Sequence, residues 1–182
     1  MTEIKVYYTE SGEDSDLLLR RAASLYTGLD AAEFVTFRER GRKPVFVLHP
    51  KLHASVSHSG GVWAAAFSVI RPVGMDIQER MEVRRYESIA RRYYHPKEAD
   101  AVLSSADPMA EFCHIWCRKE AAVKQSGRGI DGSFAKFDST ENPAEVFGKR
   151  LILTEFEIPS HPEMFAVVAF PGEITVTPVF ME

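Results

Sequence analysis

The sequence predicts an α+β fold of two similar lobes, each with helical sequence followed by antiparallel strands, and three observations carry that expectation. Short apolar runs bounded by turn residues occupy residues 45–77 and again 151–180, stretches of helical periodicity precede each group, and the pattern lapses between Gln78 and Arg85. The lapse sets the expected division, a first lobe over residues 1–80 and a second over 81–182. At 182 residues, 45% hydrophobic and 26% charged, the chain has enough apolar sequence for such a core and is not composed like a disordered protein.

In chain order, Ile4 to Tyr8 alternates as a strand does. Ser15-Asp16 opens a helical stretch carrying Leu17, Leu18, Ala22 and Leu25, and Gly28 closes it. Val45 to Leu48, Ser55 to Ser57, Val62 to Ile70 and Val73 to Ile77 read as strands, with Gly60-Gly61 and Arg71-Pro72 between the last three. Helices are expected at Tyr86 to Tyr94, at Pro96 to Leu103 and, after the turn Ala106-Asp107-Pro108, at Met109 to Gln125. Past Gly127 and Gly129, strands are expected at Leu151 to Glu157, Met164 to Phe170 and Ile174 to Phe180, with Ser139 to Glu145 as a loose connection. The halves share element order without a residue-level repeat, and two similar halves in one chain point to a monomer.

Charge and composition exclude several classes. A net charge of -4 supplies no positive field for nucleic acid. No run approaches the roughly 18 apolar residues that span a bilayer, and Met1 to Lys5 lacks the regions of a secretory signal, so a cytoplasmic protein is expected. Cys113 and Cys117, one helical turn apart, suit a reducing compartment. Two local basic stretches stand against the acidic whole: Arg38, Arg40, Arg42 and Lys43 beside Glu39, and six cations against Glu82 and Glu87 over residues 80–97. Taken singly, either is equally an ordinary solvated face.

On the third helix Phe112, Ile115, Trp116 and Val123 form an apolar stripe, and Lys119 lies on it. A cation there either snorkels to water or points into a polar cleft. Glu120 and Lys124 lie on an adjoining face at the spacing of a helical ion pair, which is the plain reading of both. Asp76, in the apolar strand Gly74-Met75-Asp76-Ile77, needs a partner: a cap at the strand end, or a metal ion held jointly with Glu120 if the lobes bring the two together. Ser57-His58-Ser59-Gly60 lacks the surroundings of a hydrolase nucleophile; His58 at a strand end is either a surface histidine or a phosphate donor, with Lys43 adding a point charge. Cys113, His114 and Cys117 do not form a zinc set, since His114 points away from the thiols and no second ligand pair follows.

Taken in order, Gly41-Arg42-Lys43-Pro44, Ser57-His58-Ser59, Gly74-Met75-Asp76-Ile77 and Trp116-Cys117-Arg118-Lys119-Glu120 through Lys124 resemble the 4'-phosphopantetheinyl transferases, specifically the longer pseudo-dimeric kind related to the surfactin-synthetase activator. The likeness runs from about Leu17 to Phe170. It implies two lobes related by a pseudo-twofold. It also implies transfer of 4'-phosphopantetheine from coenzyme A to a serine of an acyl or peptidyl carrier protein, with release of adenosine 3',5'-bisphosphate. Lys43, Pro44, Ser57 and His58 inherit the adenine and 3'-phosphate contacts, Asp76 and Glu120 the magnesium, and Lys119 and Lys124 the phosphates; Glu98 resembles the glutamate of a further family segment. Asp76, Glu120 and Lys124 are thereby the expected catalytic set, with Glu120 taking the serine proton. Gln78 stands where relatives often have a second acid and is carried as a candidate third metal contact. The early basic segment of the family is missing, which leaves Arg20, Arg21 or Arg42 to assist the 3'-phosphate. Two other classes fit the same residues: a coenzyme A or carrier-protein binding protein without catalysis, and a metal-dependent nucleotide pyrophosphatase.

Overall fold

The computed structural model describes residues 1–39, 42–128 and 133–182, so the expectations placed on Arg40, Gly41 and Gly129 lie outside the described residues. The first half contains β1 (Thr2–Thr9), α1 (Ser15–Thr27), β2 (Thr36–Phe37), β3 (Val45–Phe46), β4 (His53–Ser59), β5 (Val62–Ser68) and β6 (Gly74–Gln78). The second contains α2 (Tyr86–Tyr93), α3 (Pro96–Ser104), α4 (Pro108–Ser126), β7 (Ala144–Val146), β8 (Lys149–Glu155), β9 (Phe165–Phe170) and β10 (Ile174–Phe180). The α+β expectation holds. Local chemistry explains the helix bounds: Asp14 caps α1 and Gly28 ends it in the left-handed region, while Asp107, Pro108 and Gly127 do the same for α4.

One sheet runs β10-β1-β5-β4-β3-β2 and the other β6-β9-β8-β7. Each has a strand, then helix, then antiparallel strands of which the last pairs back on the first, β1 with β5 and β6 with β9. The division at residue 80 does not follow the sheets. β6 precedes it yet belongs to the second sheet, and β10 crosses back to lie parallel on β1, from Thr2 opposite Ile174 to Tyr8 opposite Phe180. Ladder partners at that sequence distance are chosen by packing between sheets, which local periodicity does not encode. Ser139 to Glu145 also departs from the loose connection expected: Ser139 is buried and donates through both N and Oγ to Glu98, and β7 begins at Ala144.

The layers follow from the alternation. Ile4, Val6, Val62 and Ala64 of the first sheet meet Met75, Ile77, Ala166 and Val168 of the second in a core between the sheets. α1 covers the outer face of the first sheet with Leu18, Leu19, Ala22 and Ala23, and α4 leads the helices that cover the second. Where β4 approaches β6 there is no ladder, and the Ser55 hydroxyl takes its place, accepting from Met75 N at 2.9 Å and donating to Met75 O at 3.3 Å.

With Met75 and Ile77 in the inter-sheet core, Gly74 and Asp76 turn toward α4. At Gly74 the helix backbone comes so close that a Cβ would overlap the Ala121 carbonyl and lie 2.8 Å from Gln125 Cα. Gly74→Ala is therefore expected to push α4 off β6, lowering stability by about 3 kcal/mol and the midpoint of thermal unfolding by roughly 6–12 °C. A calorimetric midpoint within 2 °C of the parent, about what half a kcal/mol produces, would show that the contact yields easily.

Candidate active site

The close approach of α4 to β6 brings strand and helix side chains into one cleft, between the sheets at the β4–β6 seam. Asp76 and Glu120, 4% and 6% exposed, line the same cavity of about 370 Å³, with Ser57, His58, Gln78 and Lys124. Lys124 does not close the helical pair with Glu120; its Nζ lies 2.6 Å from Asp76 Oδ1, which also accepts from Ser57 Oγ at 2.6 Å. Cys117 packs beneath, its thiol donating to the Asp76 carbonyl at 3.4 Å. Both cysteines are free thiols.

A second cavity of about 390 Å³ is lined by Arg38, Arg42, Lys43 and Pro44 and shares Arg38, Val56, Glu120 and Lys124 with the first. Lys43 donates to the Val73 carbonyl, and burial, followed by the charges of Lys124 and Lys149, lowers its ammonium to about 8. Arg42 Nη1 reaches the Gly127 carbonyl at 3.0 Å, joining the β2–β3 loop to the end of α4. Four cations thus border a pair of buried carboxylates, an arrangement that accepts a ligand with several phosphates.

Of the residues singled out in the sequence, Asp76, Gln78, Glu120, Lys124, Ser57, His58, Lys43 and Pro44 line these two cavities. His58 is exposed, and Gln78 turns its amide nitrogen to the Glu79 carbonyl at 3.0 Å and Met81 Sδ at 3.3 Å. Lys119 is the correction. It is wholly buried inside the second lobe, 2.6 Å from Glu98 Oε2 and 2.8 Å from the Phe137 carbonyl, with its ammonium 4.0 Å from the Phe137 ring centroid, and it lines neither cavity. The apolar stripe carried it inward, and a partner on α3 replaced the water or phosphate expected. Arg20 and Arg21 are not in the cleft either; they pair on the surface with Asp16 at 2.7 Å and Glu13 at 2.6 Å. Arg38, which lines both cavities, went unassigned in the sequence because a loop cation inside a charged run carries no periodic signal.

Burial, and secondly the charge of Asp76, push the Glu120 carboxyl up to about 7, against the pull of Lys124. Asp76 has Lys124 and Ser57 as partners, and Glu120 shares its cavity. Magnesium takes oxygen ligands, one or two of them protein carboxylates with phosphate oxygens and water completing the set, and Asp76 and Glu120 in one cavity are donors of that kind; Gln78 lines the same cavity but turns its amide nitrogen to Glu79 and Met81.

The cleft sets two buried carboxylates against a wall of Arg38, Arg42, Lys43 and Lys124. Residues 72–170 match the sequence profile of the 4'-phosphopantetheinyl transferase superfamily. The chain belongs to that superfamily. It is 34% identical over 117 residues to a 4'-phosphopantetheinyl transferase of Bacillus subtilis, covering 63% of this chain and 51% of the relative. To the 4'-phosphopantetheinyl transferase psf-1 of Bacillus pumilus it is 31% identical over 124 residues, 67% of this chain and 52% of the relative. To the 4'-phosphopantetheinyl transferase HetI of Nostoc it is 27% identical over 118 residues, 62% and 50%. The chain spans about half the length of the curated relatives it matches.

Proposed function

We propose that this chain transfers 4'-phosphopantetheine from coenzyme A to a serine hydroxyl of an acyl or peptidyl carrier protein, releasing adenosine 3',5'-bisphosphate. The observation that carries the reading is the meeting of Asp76, Glu120 and Lys124 in one cavity that opens into a second walled by Arg38, Arg42 and Lys43. The relatives are named as enzymes of this activity. In this reading the second cavity receives the anionic nucleotide end of coenzyme A, and Lys124 and Arg38 hold the diphosphate against the carboxylate pair. Magnesium bound by Asp76 and Glu120 would neutralise charge that builds on the phosphate oxygens. Glu120 faces the same cavity and takes the proton from the attacking serine. The serine oxygen bonds to the β-phosphorus as the bond to the bridging oxygen breaks, and the bisphosphate leaves with that oxygen. Ser57, bonded to Asp76 Oδ1, positions that carboxylate instead of contacting the nucleotide.

The basic stretch 80–97 lies just past β6 and would face the carrier, a class of protein that is generally acidic. The reading further places the chain in the cytoplasm as a monomer; no helix among the described residues is long and apolar enough to cross a membrane. The test is intact-mass spectrometry of a panel of apo carrier proteins incubated with coenzyme A, with and without magnesium. A phosphopantetheine-sized mass gain that disappears with chelator is expected. No gain on any carrier, or release of adenosine bisphosphate without a carrier present, would overturn the reading.

A further inference from the structure

Lys119 and Lys124 each have a buried carboxylate, Glu98 at 2.6 Å and Asp76 at 2.6 Å. Lys43, half-buried, has none: among the described residues its Nζ forms no ion pair and donates to the Val73 carbonyl. The groups that face it are mostly of its own sign. Arg38 and Arg42 come from its own loop, Lys124 from α4 and Lys149 from β8, with His53 on β4 and Glu120 on α4 as the carboxylate lining the shared cavity. A desolvated cation among cations is relieved by losing its proton, and burial, then Lys124 and Lys149, bring Lys43 to about 8.

At pH 8 such an amine is neutral in about half of the molecules, against about 0.3% for a lysine at its ordinary 10.5. Desolvation beside other cations is one way a lysine becomes a nucleophile near neutral pH. The hydrogen bond to Val73 uses one N–H and leaves the lone pair, and the open space beside Lys43 is the cavity of about 390 Å³. On its wall the exposed Arg38 and Arg42 each give one N–H to a backbone carbonyl, that of Arg42 at 3.1 Å and that of Gly127 at 3.0 Å. A guanidinium has five donors, so both keep N–H groups for a phosphate next to the amine.

We infer that Lys43 is a modification site for small acyl phosphates, with Arg38 and Arg42 holding the phosphate while the Lys43 amine attacks the adjoining carbonyl carbon. The C–N bond forms as the bond from that carbon to the bridging oxygen breaks. Inorganic phosphate leaves with the oxygen, and the proton shed by the amine passes to phosphate or water. An acyl thioester of coenzyme A is the wrong donor: on the reading above its nucleotide fills this same cavity, and its thioester lies at the far end of the pantetheine arm. An acyl phosphate carries its carbonyl beside the charge. Acylation makes Lys43 neutral and takes a cation from the wall that the transferase reading gives to the nucleotide, so acylation and coenzyme A binding oppose each other.

The test is peptide mapping by mass spectrometry of the full chain incubated with acetyl phosphate at pH 8. Lys43 is expected to gain its acetyl group about tenfold or more faster than the exposed Lys51 and Lys136. The gain in neutral amine is about 150-fold, and the loss of intrinsic nucleophilicity about 15-fold on the slope that thiols show. The Lys43 rate should saturate with acetyl phosphate, and should fall with inorganic phosphate at matched ionic strength and, by about tenfold, in Arg38→Gln. The N-hydroxysuccinimide ester of acetic acid, which has no phosphate, should label Lys43 with little change between the parent and that variant, once circular dichroism shows the two folded alike. Labelling of Lys43 no faster than of Lys51 and Lys136 would overturn the inference. So would fast labelling by acetyl phosphate that neither inorganic phosphate nor Arg38→Gln slows, since the amine would then react without a phosphate site. The labelling is read with no coenzyme A or carrier present, so its failure and that of the transferase reading are separate results.

Discussion

Glu120→Gln is expected to give a folded protein that is more stable than its parent in metal-free buffer at pH 8 and that modifies carrier at least about a hundredfold more slowly, since losing even an outer-shell partner of a metal ligand costs about 10–100-fold. Both effects come from the same burial. The Glu120 carboxyl sits at about 7 in the folded chain against 4.5 when unperturbed, so folding disfavours its charged form. Below pH 4.5 the group is neutral whether the chain is folded or not, and its burial brings no ionisation cost. As pH rises from there toward 7 the unfolded chain ionises first and stability falls, levelling above pH 7 at a loss of about 3 kcal/mol. Glutamine keeps the shape and never ionises, so urea unfolding in chelator should show the variant gaining on the parent by about 2–3 kcal/mol between pH 5 and pH 8. An equal gap at both pH values would show that the carboxyl does not feel Asp76 and the surrounding protein as the structure has it. A carrier-labelling rate within about threefold of the parent at saturating magnesium would remove Glu120 from the chemistry.

That trade between stability and charge explains which parts of the site were legible in the sequence. Asp76 was visible as a carboxylate in an apolar strand, and Glu120 and Lys124 as polar residues on a helix with a strong apolar stripe, because local composition already makes such residues expensive. Their meeting was visible only through the family likeness, because it depends on β6 crossing to the second sheet and on Gly74 admitting α4 to its backbone. The helices were legible almost to the residue where caps are written in the chain, as in Asp107, Pro108 and Gly127 around α4. β10 was legible as a strand, but its parallel pairing with β1 was not. Lys124 shows the limit of spacing rules: the i,i+4 relation to Glu120 is real, yet the ammonium goes to Asp76, on a strand 48 residues earlier in the chain. Arg38 shows the converse, a residue with no pattern around it that nonetheless lines both cavities.

Lys119 separates a structural lysine from a catalytic one most sharply, and Lys119→Met is expected to be the most destabilising of the substitutions considered. Its ammonium and the Glu98 carboxylate are both wholly buried and 2.6 Å apart. Glu98 also accepts from Ser139 N at 2.7 Å, Ser139 Oγ at 2.6 Å and His95 N at 2.9 Å, so one carboxylate ties α3, α4 and the chain entering β7. Burial lowers the Lys119 ammonium and Glu98 works to restore it, which describes a pair held by its partners with no access to water. Removing the cation leaves a desolvated anion, a change that costs about 3–5 kcal/mol and lowers the unfolding midpoint by roughly 6–20 °C for a chain of this size. Glu98→Gln in the same chain neutralises the orphan while keeping a carbonyl acceptor for Ser139, so the double variant should recover a good part of the loss; a double-mutant cycle reads the coupling directly. Were Lys119 a phosphate contact, as the family likeness implies, the methionine variant would instead show a raised KM for coenzyme A with stability little changed. The structure predicts the reverse at temperatures below its melting: KM for coenzyme A unaltered, because the ammonium never reaches the cleft, and a protein that unfolds far sooner.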